Sequence, residues 1–364
     1  MEEVIYLIMM VIIMIENIEK KQFIPFILDD IFDIYSSNSG IDKNKLKVEM
    51  GDIPYITRTD RNNGIDSFVC EQDSKKYKKD GGNVITIGLD TQTVFYQQYD
   101  FYTGQNIQIL SNPNLTFESS LYIIPLLKMV LEKFSWGSNG ATLTRLKRSK
   151  IMLPANNRGE PDFDFMANYI KASLFKEIND IKKYCHDAIS NIRNSNIPNL
   201  SEKHWQVFNI NHIFPFIQRG KRLKKGNHKI GNIPYVSSTM MNNGVDNFIG
   251  NKEGKRFNNC ITIANSGSVG ASFYHQYEFI GSDHITAFKN EKFNKYIYLF
   301  LTTIVSRIGD KYSFNREIND FRISNEKILL PVNEEGNPDY EYMEQYIKNI
   351  MYNQYKKYLD FLED

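Results

Sequence analysis

Asp66, Asp73 and Lys75 stand at the spacing D-x6-D-x-K, and the pattern returns as Asp246, Glu253 and Lys255. Two carboxylates and a lysine can hold Mg²⁺ and activate water for phosphodiester cleavage. Such sites usually put the second acid and the lysine on a buried strand. Here residues 71–81 (EQDSKKYKKDG) and 251–258 (NKEGKRFN) read as polar loops. A metal-dependent nuclease is the enzyme alternative, resting on a short and permissive motif. A second chemistry is suggested by Asp52-Ile53-Pro54-Tyr55 and Asn232-Ile233-Pro234-Tyr235. They resemble the Asp/Asn-Pro-Pro-Tyr signature of amino-methyltransferases, which presents an acceptor and an aromatic wall to an extruded base. Ile replaces the first proline in both, and no glycine-rich cofactor loop follows a strand upstream, so Tyr55 and Tyr235 read as strand starts. Nucleotide hydrolysis has no support: Gly137-Ser138-Asn139-Gly140 lacks the lysine of a phosphate-binding loop. His186, His204, His212, His228, His275 and His284 show no metal-ligand spacing. Cys70, Cys185 and Cys260 form no CxxC pair, which points away from a disulfide framework and towards a reducing, cytoplasmic setting.

The elements that would position these residues occur twice. Ile53-Pro54-Tyr55 returns as Ile233-Pro234-Tyr235, and Asn62-Asn63-Gly64-Ile65-Asp66 as Asn242-Asn243-Gly244-Val245-Asp246. Phe95 to Phe101 (FYQQYDF) matches Phe273 to Phe279 (FYHQYEF). Ile151 to Pro154 matches Ile328 to Pro331, and Gly159-Glu160-Pro161-Asp162 matches Gly336-Asn337-Pro338-Asp339. A near-constant offset means that the copies differ by short loop insertions. Each is domain-sized, so the repeat is a gene doubling and no solenoid. Val84 to Ile87, Thr93 to Tyr96 and Ile107 to Leu110 have strand patterns, and Leu121 to Phe134 and Tyr296 to Ile308 have helical length and spacing. Each copy is therefore mixed α/β (α+β).

A longer helix follows each copy. Ile170, Leu174, Ile178, Ile181, Cys185, Ala188 and Ile192 fall three and four apart, as do Met343, Ile347, Met351, Tyr355, Tyr358 and Leu362. Pro161 and Pro338 would open these helices, with Asp162, Asp164, Asp339 and Glu341 in the first turns, where acids complement the helix dipole. At 1.5 Å per residue the two span about 48 Å and about 36 Å. Their apolar stripes want a partner face, either the other helix or the globular part of the same copy. Asn191 to Ser201 reads as a linker. The expected organisation is an apolar segment at 1–20, domains at 21–160 and 199–337, and helical spacers at 161–198 and 338–364. Val4 to Ile15 is an apolar run of twelve residues, short of the ~20 that span a bilayer, preceded by Glu2 and Glu3 and lacking a cleavage site. It reads as a buried strand or helix, with no membrane role.

The chain has 44 Lys and Arg against 43 Asp and Glu, which excludes a uniformly basic protein but not a patchy one. Residues 160–193 carry five cations against six anions and 338–364 carry three against six, so the positive excess lies in the globular copies. Arg219, Lys221, Arg222, Lys224, Lys225 and Lys229 fall within eleven residues that contain no acid. Lys75, Lys76, Lys78 and Lys79 form another group, and Arg145, Lys147, Arg148 and Lys150 a third. Such runs are either solvated surface or contacts to phosphates.

A doubled α/β unit, a long helix after each copy and no catalytic motif together resemble the specificity subunit of type I restriction–modification enzymes and related restriction systems. The matching residues are Trp205 to Phe216, with Phe23 to Tyr35 as the weaker first-copy equivalent. They include the Ile-Pro-Tyr segment with Asn-Asn-Gly and the Ile-x-Leu-Pro element before each helix. The Gly-x-Pro-Asp-x-x-x-Met extension resembles variants whose methylation and cleavage parts are arranged differently from the usual pentamer. Phe23 departs from the opening Trp of the second copy. The resemblance covers roughly residues 23–364. It implies two target-recognition domains joined by two long antiparallel helices that act as a ruler. Each domain would read half of a bipartite site in the major groove, where base edges are distinguishable. It also implies partners: double-stranded DNA, two methyltransferase subunits that carry the S-adenosylmethionine and flip the adenine, and a restriction or translocase subunit. This chain would bind no cofactor or metal and have no catalytic residue.

On that frame the base-reading candidates are Thr57, Arg58, Thr59, Arg61, Asn62, Thr91 and Gln92 in the first copy. Ser237, Ser238, Thr239, Asn242, Asn265, Ser266 and Ser268 are those of the second. Arg suits guanine O6/N7 and Asn suits adenine N6/N7. Asn63 and Asn243 fit a tight turn equally well. Lys75, Lys76, Lys78, Lys79, Arg145, Lys147, Arg148, Arg219, Lys221, Arg222, Lys224 and Lys225 are the phosphate candidates, which set register without reading sequence. Divergent loops on a common frame imply two different half-sites and an asymmetric target. An adaptor whose helices merely join proteins is the third possibility.

Overall fold

The computed structural model describes residues 21–47, 49–134, 142–312 and 317–363. The apolar run Val4 to Ile15 and the segment Gly137 to Gly140 lie outside them. Two compact units divide between Ile181 and Lys182.

Among the described residues the first unit has nine strands: β1 (Phe23–Ile27), β2 (Asp33–Ser36), β3 (Ile53–Ile56), β4 (Ile65–Val69), β5 (Val84–Gly88), β6 (Thr93–Gln97), β7 (Tyr102–Thr103), β8 (Ile107–Ser111) and β9 (Lys150–Pro154). They form a four-stranded antiparallel sheet in the order β2-β8-β5-β6, a three-stranded sheet β4-β3-β7 and a ribbon β1-β9. All five residues of β5 are buried, as a strand covered on both faces requires. Helix α1 (Phe117–Leu131) packs Ile123, Leu127 and Leu131 against Ile85, Ile87, Val94 and Leu153. It begins four residues earlier than apolar spacing indicates, because Thr116 and Ser119 cap each other's backbone N–H groups reciprocally.

The second unit repeats the scheme with β10 (Trp205–Asn209), β11 (Phe216–Arg219), β12 (Ile230–Val236), β13 (Val245–Ile249), β14 (Lys255–Phe257), β15 (Cys260–Ala264), β16 (Ser272–His275), β17 (Phe279–Gly281), β18 (Ile285–Lys289) and β19 (Lys327–Pro331). Its sheets are ordered β11-β18-β15-β16, β13-β12-β17-β14 and β10-β19. The addition is β14, which pairs with β17 where the first unit has only an Asp80–Phe101 bridge. Lys255 therefore sits on a strand, not in the polar loop its surroundings suggest. Tyr55 and Tyr235 likewise lie inside β3 and β12 rather than at their starts.

The long helices are α2 (Phe163–Ser190, 28 residues) and α4 (Tyr340–Glu363, 24 residues), with α3 (Lys295–Ser306) the counterpart of α1. Neither long helix starts at its proline. Asp162 Oδ1 accepts from the Phe165 N–H at 2.9 Å and Asp339 Oδ1 from the Tyr342 N–H at 3.0 Å, so the aspartates are the caps. Pro161 and Pro338 instead bridge Ala155 and Val332 ahead of them. Within the second unit α4 has two partners. Met343, Tyr346 and Ile347 pack on the unit's own core. Further along, Tyr355 meets Tyr184 edge-on, and Gln345 and Asn349 donate to the Arg193 and Ser195 carbonyls. These contacts run antiparallel, with both partner faces used in succession. No helix among the described residues is long and apolar enough to cross a membrane.

Candidate nucleic-acid interface

One end of each unit gathers three connections. In the first unit the β3–β4 connection leaves at Ile56 and returns at Ile65, and β7 runs parallel to β3 with Ile56 beside Thr103. The turn after β7 is therefore carried to the same end, and Gly88 beside Ile107 brings the β5–β6 loop there too. Backbone bonds lock the three together: Gly104 N–H donates to Ile56, Leu89 N–H to Asn106 and Thr57 N–H to Gly64. The second unit makes equivalent bonds, Ser282 to Val236, Asn265 to His284 and Ser237 to Gly244. The frame is the same to the level of individual hydrogen bonds.

Asn-Asn-Gly is a turn in both units. Asn62, Asn63 and Gly64 have φ of 48°, 56° and 79°, and Asn242, Asn243 and Gly244 have 50°, 53° and 78°. Short polar side chains and glycine are the residues that tolerate three successive left-handed positions. Asn63 also donates to the Tyr96 carbonyl at 2.8 Å. Asn62 and Asn242 stand exposed at the tip.

The other candidates separate by what holds them. Thr57 and Thr59 accept from the Thr59 and Arg61 N–H groups, and Thr239 accepts from Met241, so these hydroxyls shape their own loop. Arg58 is ion-paired to Asp90, whose carboxylate also accepts from Asn106 Nδ2 at 3.1 Å. Ser266 and His284 Nδ1 share a hydrogen bond of 2.6 Å. The Ser238 carbonyl accepts from the Ser268 N–H at 3.1 Å. Ser237 accepts from the Ser282 hydroxyl at 3.2 Å. Arg61 and Thr91 are exposed, with Thr91 bonded to Thr93.

Two candidates are overturned. Asn265 is fully buried: Oδ1 accepts from Thr286 at 3.0 Å and Nδ2 has no partner among the described residues, so its amide does not reach a base edge. Gln92 turns inward and donates to the Phe134 carbonyl at the end of α1. Asp90, Asn106 and His284, which sequence reasoning left out, stand in the cluster instead. The signals for them were the divergence of Gly88–Gln92 from Ala264–Ser268 and the offset that aligns Asn106 with His284.

The cationic groups fall in different places. Lys75 to Lys79 lie in the connection leaving β4 at Val69, opposite Ile53 and so at the far end of that sheet from Thr57–Gly64. Lys79 is held by Glu71 at 3.0 Å and Lys76 by Asp73 at 3.7 Å; Lys79 keeps the Glu71 carboxyl below its ordinary value. Lys147 pairs with Asp29 at 3.0 Å, beside the Asp33 end of β2, again away from the loop cluster, with Arg145 and Arg148 on the same helical turn. The Arg219 run differs. Arg219 lies opposite Thr286 and its Nε donates to the Asp283 carbonyl, and the Lys221 N–H donates to Gly281, so the run starts at the loop cluster. It then follows β12 to Lys229, whose N–H donates to Asn251 at the other end. Lys221, Arg222, Lys224 and Lys225 are exposed and form no ion pair among the described residues. Ser37–Lys47 is the equivalent run of the first unit, with Lys47 on Gln72 as Lys229 is on Asn251. Its Lys43 and Lys45 are paired with Asp66 at 2.8 Å and Asp42 at 3.1 Å.

The enzyme alternatives do not assemble. Asp66 is engaged by Lys43, Asp73 accepts from the Lys75 backbone, Glu253 accepts from Asn251, and Lys255 Nζ donates to the Arg219 carbonyl. Asp246 is exposed. No group of three or more metal-ligating side chains occurs among the described residues. Tyr55 and Tyr235 are buried with their hydroxyls donating to the Ile41 and Leu223 carbonyls, so neither offers an aromatic wall to a base.

Comparison with known proteins agrees with the doubling. A family model, the type I restriction modification DNA specificity domain, matches residues 20–183 and again residues 202–358. The Type II restriction enzyme BgcI specificity subunit of Heyndrickxia coagulans is 33% identical over 332 residues, covering 90% of this chain and 94% of the relative. The crystal structure of a type I restriction–modification S subunit from M. genitalium shares the fold, with a TM-score of 0.56 at 16% identity over 94% of this chain and 93% of that one. The chain therefore belongs to the type I restriction–modification DNA specificity family, as a specificity subunit with two tandem copies of the domain.

Proposed function

We propose that the two units read the halves of a bipartite, asymmetric DNA target. The observation that carries this reading is a shared frame with unlike chemistry upon it. The backbone bonds among the three loops are the same in both units, while the side chains they support differ, Arg58 against Ser238 and Asp90 against Ser266. Base edges in the major groove are discriminated by donor and acceptor pattern, so unlike side chains at like positions select unlike bases.

The exposed cations Lys221, Arg222, Lys224 and Lys225 contact phosphates and hold register without reading sequence. The chain itself carries out no chemical step. Methyltransferase subunits docked on it bring the S-adenosylmethionine and act on a flipped adenine, and a restriction subunit completes the complex in the cytoplasm. The lengths of α2 and α4, 28 and 24 residues, set the gap of unread base pairs.

Selection of bound duplexes from a randomised pool, using the chain assembled with its cognate methyltransferase subunits, tests the reading. The expected product is two different short sequences at one separation. Deleting two turns from both helices together is expected to shorten the separation and keep both sequences. A pool that returns no preferred sequence would favour an adaptor that only joins proteins.

A further inference from the structure

Three positions, one from each loop, hold divergent chemistry on the shared frame. They are Arg58, Asp90 and Asn106 in the first unit, and Ser238, Ser266 and His284 in the second. Their equivalence is structural: Leu89 N–H donates to the Asn106 carbonyl as Asn265 N–H donates to that of His284, and Thr57 and Ser237 receive the same turn. In the first unit Asp90 joins the set, taking the Arg58 guanidinium and the Asn106 amide on one carboxylate oxygen. Gly88 sits at the crowded strand end beside Arg58, where a Cβ would meet the Thr93 hydroxyl at 2.5 Å and the Thr91 hydroxyl at 2.9 Å. In the second unit the linkage is a hydroxyl-to-imidazole hydrogen bond, Ser266 to His284 at 2.6 Å, with Asp283 at 3.8 Å from the other ring nitrogen.

We infer that these triplets are the specificity-determining module of each unit, with Asp90 the residue that positions Arg58 and Asn106. The inference rests on the proposed DNA-reading role and goes further by naming which side chains choose the bases. Held by Asp90, the planar guanidinium keeps donors free in a fixed plane, and such a fork suits the paired acceptors O6 and N7 of guanine. Less freedom is lost on binding when the side chain is already placed. Ser266 and His284 present single donors or acceptors, so the second half-site differs in kind.

The test is selection from randomised duplexes with the assembled complex carrying Asp90→Asn, and separately the triple change Arg58→Ser, Asp90→Ser, Asn106→His. Asp90→Asn should relax a guanine preference at one position of one half-site by at least about tenfold, the size of a good bidentate contact. The other half-site's preference should be unchanged, which a general loss of fold would not spare. Asp90→Glu, which keeps the carboxylate, should restore part of the preference. The triple change should move that half-site towards the second unit's. Both half-sites unaltered in Asp90→Asn would overturn the module, whatever the triple variant does. A wild-type complex that selects no sequence would instead overturn the DNA-reading role itself.

Discussion

His275 shows how one residue can set the pH behaviour of a unit without touching ligand. It is fully buried, with one ring nitrogen 2.9 Å from the Thr262 hydroxyl and the other 3.2 Å from the Tyr277 hydroxyl. Burial holds its pKa down to about 4. The folded unit therefore disfavours protonation that the unfolded chain accepts near its ordinary value of about 6.5. Its stability is full above that value and falls as the pH drops from 6.5 towards 4, by roughly 3 kcal/mol in all. Gln97 occupies the same place in the first unit and donates to Thr86 at 3.2 Å and to the Asn63 carbonyl at 3.0 Å. The variant His275→Gln is expected to unfold at a temperature that no longer drops over this range, measured by thermal melts from pH 4 to 7. An undiminished pH dependence would show that other groups control it.

At the scale of elements, the turns and caps are where the duplicated sequence does the same physical work twice. Gly64 and Gly244 have φ near +80°, and a Cβ would approach Phe95 to 3.1 Å and Phe273 to 3.2 Å. Gly244→Ala should cost about 1–2 kcal/mol, from a left-handed alanine and a crowded ring, read as a lowered denaturation midpoint. Asp162 and Asp339 each cap a long helix and bind a lysine, Lys21 at 2.5 Å and Lys203 at 2.7 Å. The same lysines sit over the Phe165 and Tyr342 rings at 4.8 Å. Asp339→Ala should lose about 1 kcal/mol or more and Asp339→Asn distinctly less, because asparagine still caps but carries no charge. Equal losses in the two variants would mean that the ion pair, not the cap, holds this helix start.

Over the whole molecule the positive charge is unequal. Four exposed cations of the second unit's run are without ion-pair partners among the described residues, while Lys43 and Lys45 of the first are neutralised locally. Each phosphate contact contributes about 0.9 to the slope of log K against log salt concentration. Changing Lys221, Arg222, Lys224 and Lys225 to Gln should lower that slope by up to about 3.6, against a smaller change for Lys43 and Lys45 to Gln. Titrations at several salt concentrations on non-specific duplex measure both, and equal slopes would refute the asymmetry.

Doubling and the strand and helix types were readable from residues alone. Local spacing and turn chemistry act over a few residues, and Ile-Pro-Tyr and Asn-Asn-Gly do the same job in each copy. The partners of side chains were not readable. Arg58 meets Asp90, 32 residues away, only because Ile56 lies beside Thr103 and Gly88 beside Ile107. Asn265 and Ser266 are neighbours in sequence, yet one is sealed in the core and the other faces the loop cluster. Strand register and burial arise from packing between distant segments, and no spacing along the chain encodes them.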